Sequence, residues 1–321
     1  MGFVLLNYIM SKLVIVDGHA IIHRAYHSIP TLTFNGQPVN GIYGFYSMLL
    51  TAINILNPKY LIVCLDSPGP NFRNHEFLGY RSKRKPADHD LIVQLPLLKS
   101  TLEQAKISTF SMGGFEADDL IATITIKALK KINKNKKKLI NEVIIITGDK
   151  DLMQLVDQKV SLFVPIRGLS ETKIYNSSDV VEKLGVLPTQ VVDLKALMGD
   201  MSDNYPGVAG IGPKVATDLL SQYQNLDNIY KNLNEIKPTV KEKLEKDKDN
   251  AYLSQKLATL VKNIPIHLNL SSSKLTPISY QNLITLFKSF NFKSLVQRVE
   301  KQTPIKINKP NEKKSQQTSL F

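Results

Sequence analysis

Cysteine is nearly absent from this sequence: one residue, Cys64, in a chain of 321. No disulfide can form within the monomer, which fits a reducing cytoplasm. Cys64 lies inside the apolar run YLIVCL and reads as a core residue. No apolar run is long enough to span a membrane, so no membrane partner is expected. The opening MGFVLLNYIM has neither a basic n-region nor a small-residue cleavage site, so it is a poor signal peptide. Met10, followed by SKLVIVDG, is the better start, and the stretch 1–10 reads as a start-site extension. Negative charge is also scarce. Asp plus Glu number 28 against 41 Lys plus Arg, a formal net charge of +13. Such an excess points to a polyanionic partner, nucleic acid being the commonest. The bland alternative is a Lys-, Asn- and Ile-rich composition that reflects an AT-rich genome. Apolar residues reach 43%, enough for a substantial core in one large domain or two smaller ones.

Three short apolar runs stand out: KLVIV at 12–16, YLIVCL at 60–65 and EVIIIT at 142–147. Separated by helical stretches, they read as strands of a parallel sheet buried on both faces. An aspartate follows each: Asp17, Asp66 and, after Gly148, Asp149. In open α/β sheets the ligand site lies beyond the carboxyl ends of the strands, so these three acids should share one edge. The spacing predicts helices over 40–56 and 116–130. From about 178 the pattern changes to short helices and turns, with a final helical packing segment at 275–300. The polar, basic tail 302–321 reads as disordered up to its last few residues.

The scarce negative charge is concentrated. FEADDL places Glu116, Asp118 and Asp119 within four positions. Acids in a first helical turn favour the helix dipole, which explains one or two of them better than three. TGDKD adds Asp149 and Asp151, and GDMSDN adds Asp200 and Asp203. Two unit charges about 4 Å apart repel by about 4 kcal/mol at an effective dielectric of about 20. If nine carboxylates converge, they need cations. Hard divalent ions with oxygen ligands are the natural solution, Mg²⁺ first and Mn²⁺ as a substitute. Paired ions of this kind activate water for phosphodiester cleavage. His19, His23 and His27, spaced by four, offer a rival zinc reading, but there is no HExxH and no cysteine ligand nearby.

Basic residues surround the acids in sequence. The stretch 71–90, NFRNHEFLGYRSKRKPADHD, suits single-stranded nucleic acid: Arg and Lys for the backbone, Phe72, Phe77 and Tyr80 for bases. Phe77 reads equally well as packing. Arg24, near Asp17, and Lys83 are further candidate phosphate contacts. The run 130–138, KKINKNKKK, reads as a solvated loop. GVAGIGPKVA resembles a helix–hairpin–helix turn. Its backbone N–H groups at Gly207, Gly210, Ile211 and Gly212, with Lys214, suit a phosphate.

In order and spacing, VDGHAIIHRAYH, YGFYSML, LDSPGPNFRNHEFLGYRSKR, GFEADDLIAT, ITGDKDLMQLV and LMGDMSDNYPGVAGIGPKVA resemble the bacterial 5′→3′ exonuclease and flap endonuclease family, over about residues 11–290. That family includes the N-terminal 5′-nuclease domain of DNA polymerase I and its stand-alone relatives. The resemblance implies an α/β fold: a mostly parallel central sheet with flanking helices (a PIN-like nuclease core), a helical arch, and a C-terminal helical domain with the hairpin motif. It divides the chain into a core at 11–177 with the arch at about 70–95, a helical DNA-binding domain at 178–300 with the hairpin at 207–216, and a tail at 301–321. It implies metal ligands at Asp17, Asp66, Glu116, Asp118, Asp119, Asp149, Asp151, Asp200 and Asp203. It places substrate handling at Arg73, Tyr80, Arg81 and Arg84, with Arg81 standing where Lys is common. A fork-shaped guanidinium replaces a point charge there. It implies K⁺ at the hairpin, DNA with 5′ flaps, nicks or RNA primers as substrate, and a monomer in the cytoplasm, associated with the nucleoid. The final QTSLF resembles a sliding-clamp-binding peptide through Gln317, Leu320 and Phe321. Two other readings stand beside this one: a flap- or junction-binding protein that does not cut, and a PIN-like ribonuclease.

Overall fold

The structure, a computed structural model, describes residues 11–131, 139–167 and 171–302. The stretch 1–10, most of the lysine-rich run at 130–138 and the tail with Gln317, Leu320 and Phe321 lie outside the described residues.

Strand β1 (Lys12–Asp17) leads into α1 (Gly18–Ser28), a small hairpin of β2 (Thr33–Phe34) and β3 (Gln37–Pro38), and α2 (Asn40–Leu56). β4 (Tyr60–Cys64) is followed by two short helices, α3 (Phe72–Glu76) and α4 (His89–Ile92), then α5 (Gln94–Gln104), β5 (Ser108–Phe110) and α6 (Ala117–Lys130). β6 (Glu142–Ile146), β7 (Val160–Arg167) and β8 (Glu171–Tyr175) complete the strands. Six helices follow in a helical region: α7 (Ser177–Leu184), α8 (Val191–Met198), α9 (Pro213–Tyr223), α10 (Leu226–Lys231), α11 (Pro238–Lys246) and α12 (Lys248–Ala258). The last two are α13 (Pro277–Ser289) and α14 (Lys293–Gln302).

The main sheet has the order β5-β4-β1-β6-β7-β8. It is parallel as far as β7, and β8 returns antiparallel at the edge. The centre of β1 alternates two buried faces. Leu13 and Ile15 join the layer of α6 and the helical region, whereas Val14 and Val16 join the layer of α1, α2 and α5. Burial on both faces explains why these strands read as unbroken apolar runs. Helices α13 and α14 pack in the second layer with α2, and Arg298 of α14 donates to Ser47 and Thr51 of α2. Among the described residues no helix is long and apolar enough to cross a membrane.

The expected strands and the helix at 40–56 agree with the structure, and the helix at 116–130 begins one residue later, at Ala117. Besides the two-residue strands β2 and β3, three strands of the main sheet, β5, β7 and β8, had no counterpart in the sequence reading. β5 has only three residues, and VSLFVPIR of β7 carries Pro165, which argues against a central strand. Pro165 is tolerated at a register shift against the edge strand β8. The segment 70–95 also differs from the expected helical arch. Helix is confined to α3, α4 and the first residues of α5, with turns and irregular chain between α3 and α4. Pro70 and Pro86 interrupt helical geometry, and Arg81 takes a left-handed φ of +55°.

Candidate active site

Parallel pairing of β1 with β4 and β6 puts their carboxyl ends on one edge. Asp17 closes β1 and caps α1, its Oδ1 accepting from the Ala20 N–H at 3.0 Å. Its Oδ2 accepts from Thr147 Oγ1 at 2.9 Å, and the same hydroxyl accepts from the Asp149 N–H. Asp66 Oδ1 accepts from the Ala117 N–H at 2.7 Å at the start of α6, where a helix N-terminus favours a carboxylate. The Asp66 N–H donates to His19 Nδ1, which fixes the imidazole as an acceptor. Burial lowers the His19 pKa, consistent with that neutral form.

Four acids on this edge differ from the rest. Among the described residues no lysine or arginine pairs with Asp17, Asp66, Asp118 or Asp149. Burial, then the charges of Asp149, Asp17, Asp66 and Glu116, push the Asp118 carboxyl well above its ordinary range. Burial also raises Asp17 to about 7, against the pull of its two hydrogen bonds. This is the electrostatic signature of negative charge without a counter-charge.

The other five acids are held by cationic side chains. Glu116 accepts from Arg73 and from Tyr80 Oη, each at 3.0 Å, and pairs with Arg81. Asp203 accepts from Tyr80 Oη at 3.1 Å, Arg81 Nε at 3.2 Å and Arg84 at 2.6 Å. Burial, and then Glu116, raise the Tyr80 phenol, so it remains a donor. Lys195 of α8 bridges Asp151 and Asp200, at 2.6 Å from the latter. Burial pushes Asp151 up to about 6 against the pull of Lys195. At Asp200 burial is outweighed by Lys195 and Ser202, which hold the carboxyl at about 2. Asp149, Asp151, Lys195 and Asp200 line a cleft of about 580 Å³. Among the described residues no three His, Cys, Asp or Glu side chains are disposed to hold a metal ion as they stand.

Several sequence expectations need correction. Arg73 does not face DNA: it is 2% exposed. All five of its N–H donors are used, on Asp119 twice, Glu116, and the carbonyls of Leu257 and Thr259. Asp119 is fully buried, and besides Arg73 it accepts from the N–H groups of Val261 and Glu116. Both of its oxygens are occupied, and the capping reading of FEADDL applies to this acid. Tyr80 is 4% exposed and packs near Tyr205 and Phe77, so it offers no open stacking face. Ile211 is buried, and its N–H donates to the Val208 carbonyl. Gly207 serves the backbone: its N–H donates to Ser254, and a Cβ there would lie 2.1 Å from the Gly199 nitrogen.

At the hairpin, Gly212 and Lys214 are exposed at the start of α9, which has no side-chain cap. The Ala209 N–H is taken by Asp247, and the Gly210 carbonyl accepts from Lys243 Nζ at 3.0 Å. Lys83 and Arg84 are exposed, and Arg24 is half-buried on α1. The sequence reading missed three residues: Lys195, Thr147 and His19 as the partner of Asp66. The visible signals were a lone lysine in the apolar helix before GDMSDN and a threonine directly before Gly148-Asp149.

Gly199 and Gly207 stand back to back, both with positive φ, and close the loop that carries Asp200 and Asp203. Gly207→Ala is expected to cost about 1–3 kcal/mol from φ alone, with the backbone clash added. A fall in Tm with loss of activity checks this; an unchanged Tm contradicts it.

The fold is thus a buried, mostly parallel sheet with carboxylates gathered at its C-terminal edge and a helical region beyond it. A family profile described as "5'-3' exonuclease, N-terminal resolvase-like domain" matches residues 12–185, and one described as "5'-3' exonuclease, C-terminal SAM fold" matches 186–281. The chain is 31% identical over 296 residues to a 5'-3' exonuclease of Bacillus subtilis, covering 91% of this chain and 97% of that one. It is 38% identical over 291 residues, 90% of its length, to DNA polymerase I of Caldicellulosiruptor bescii, and spans about a third (33%) of that protein. The chain belongs to the 5′-3′ exonuclease family. Two solved structures share the fold. The T5 D15 protein co-crystallised with metal ions has a TM-score of 0.63 at 22% identity, covering 90% of this chain and 99% of that one. The catalytic core of Rad2 with a DNA substrate has a TM-score of 0.59 at 14% identity, covering 92% and 93%.

Proposed function

We propose that the chain hydrolyses phosphodiester bonds at 5′ ends and flaps of duplex DNA, including RNA primers, as a structure-specific 5′→3′ exonuclease and flap endonuclease. One observation carries this reading: Asp17, Asp66, Asp118 and Asp149 meet at the strand ends with no lysine or arginine partner among the described residues. An all-carboxylate set with unbalanced charge fits a hard divalent ion such as Mg²⁺, with Mn²⁺ as a substitute. Such ions lower the pKa of bound water and polarise the phosphoryl oxygens. Asp17, Asp66, Asp118 and Asp149 are the proposed holders, with Asp151 and Asp200 available once Lys195 is displaced. Glu116 and Asp203 hold Arg81 and Arg84, and the two guanidiniums are the proposed receivers of a phosphate. Gly212 and Lys214 are the proposed duplex contacts, together with Arg24 and Lys83. Lys243 already satisfies the Gly210 carbonyl, so K⁺ at the hairpin would need other oxygens. A monomeric, cytoplasmic enzyme acting near the nucleoid fits this reading, with the Gln317, Leu320 and Phe321 peptide as a candidate clamp contact.

The test is cleavage of a 5′-labelled flap duplex against its matched single strand, with Mg²⁺ and with chelator. Cutting near the flap junction that chelator abolishes supports the proposal. Binding without cutting under Mg²⁺ or Mn²⁺ favours the non-cutting junction binder. Lys195 gives a second check. If its ammonium competes with ions for Asp151 and Asp200, Lys195→Met should lower the divalent concentration giving half-maximal binding. A rise or no change contradicts that role.

A further inference from the structure

A second cavity opens beside the acidic edge, on the side away from the hairpin. It measures about 490 Å³, within the roughly 300–1,000 Å³ range of small-ligand sites. Its walls are apolar: Leu65 beyond β4, Pro68, and Ile92, Leu95 and Pro96 of the α4–α5 segment. Ile92 is 48% exposed, although it faces a built concavity. The polar groups are few. His19 and Asp66 are shared with the acidic edge, Ser67 and the exposed Ser111 add two hydroxyls, and Lys99 is exposed with no carboxylate partner among the described residues. Apolar walls with one cation suit a nucleotide, a flat base carrying a single phosphate.

The topology gives the cavity a direction. In the sheet order, Asp66 follows β4, Asp17 ends the central β1, and Asp149 follows β6. Beyond Asp149 lie Asp151 and Lys195, and the hairpin continues from there, the Val208 N–H donating to the Leu197 carbonyl of α8. On the nuclease reading, a duplex held at the hairpin would present its 5′ strand to the acids from the β6 side, and the part to be removed would leave on the β4–β5 side, where this cavity lies.

We infer that this cavity receives the nucleotide immediately 5′ of the scissile phosphate, its base against Leu65, Leu95 and Pro96 and its phosphate near Lys99. The inference rests on the nuclease reading above. The cavity then sets where the strand is cut, because one seated nucleotide brings the next phosphate to the acids.

The experiment places 2-aminopurine at that nucleotide in a 5′-flap duplex, with Ca²⁺ to allow binding without cutting. Wild type is compared with Ser111→Trp, which fills the rim, and with Lys99→Glu, which reverses the charge. Wild type should change the 2-aminopurine emission on binding. Both variants should lose most of that change, keep duplex affinity within about twofold, and cut about tenfold more slowly under Mg²⁺, the order expected for losing one stacked base. A wild-type emission change that both variants retain, with cutting unaltered, overturns the cavity assignment and leaves the nuclease reading intact. A wild type that cuts no flap overturns the nuclease reading and this inference with it.

Discussion

Asp118→Asn is expected to abolish cleavage and to raise Tm in the absence of metal. The adjacent Asp119→Asn is expected to lower Tm. The two acids are neighbours in one helical turn, yet their surroundings are opposite. Asp118 is pushed well above its ordinary range by burial and four other carboxylates, so removing its charge relieves repulsion. Asp119 is fully buried on the Arg73 fork, so removing its charge leaves a buried cation short of a partner. Loss of cleavage in Asp118→Asn should exceed about a hundredfold, since changes merely adjacent to metal ligands cost about 10–100-fold. The same repulsion sets a pH dependence. Asp17, raised from 3.8 to about 7, binds its proton more tightly folded than unfolded. Its contribution to stability therefore falls as pH rises through that window, and a bound divalent ion should reverse the fall. Melting curves in chelator and in Mg²⁺ measure both effects. A lower Tm for Asp118→Asn in chelator would contradict this electrostatic account.

Arg73→Ala is expected to be the most destabilising single change near the site. The guanidinium ties α3 to Glu116 and Asp119 of the α6 start and to the carbonyls of Leu257 and Thr259 at the end of α12. Truncation leaves two buried carboxylates and two carbonyls short of donors. Breaking a buried pair from one side costs about 3–5 kcal/mol, a Tm loss of roughly 5–15 °C for a protein of this size. Arg73→Lys should rescue little, because an ammonium cannot form the bidentate contact with Asp119. The check is Tm by calorimetry for both variants; Arg73→Ala within about 1 °C of wild type would place the residue outside the framework.

Much of the site was legible because backbone geometry carried it. Apolar runs at 12–16, 60–65 and 142–147 each lead to an aspartate, and parallel pairing alone brings Asp17, Asp66 and Asp149 to one edge. What sequence could not convey was how charge is shared there. Nine acids read as one set, whereas among the described residues four have no cationic partner and five are held by Arg73, Arg81, Arg84 and Lys195. Arg73 looked like a DNA contact because arginine in a basic segment usually meets solvent, and only tertiary packing places α12 over it. Gly207 resembled a phosphate-binding glycine, yet its need arises from a backbone crossing with Gly199. The strand carrying Pro165 stayed hidden because its partner β8 and the shift in register are tertiary facts.

The most direct test of the account is the binding of Mn²⁺, followed by loss of the free-ion EPR signal, to wild type, Asp118→Asn and Asp119→Asn. Wild type should bind saturably, Asp118→Asn should lose binding severely, and Asp119→Asn should retain it at temperatures where that variant is folded. Equal binding by wild type and Asp118→Asn, or loss confined to Asp119→Asn, would contradict it.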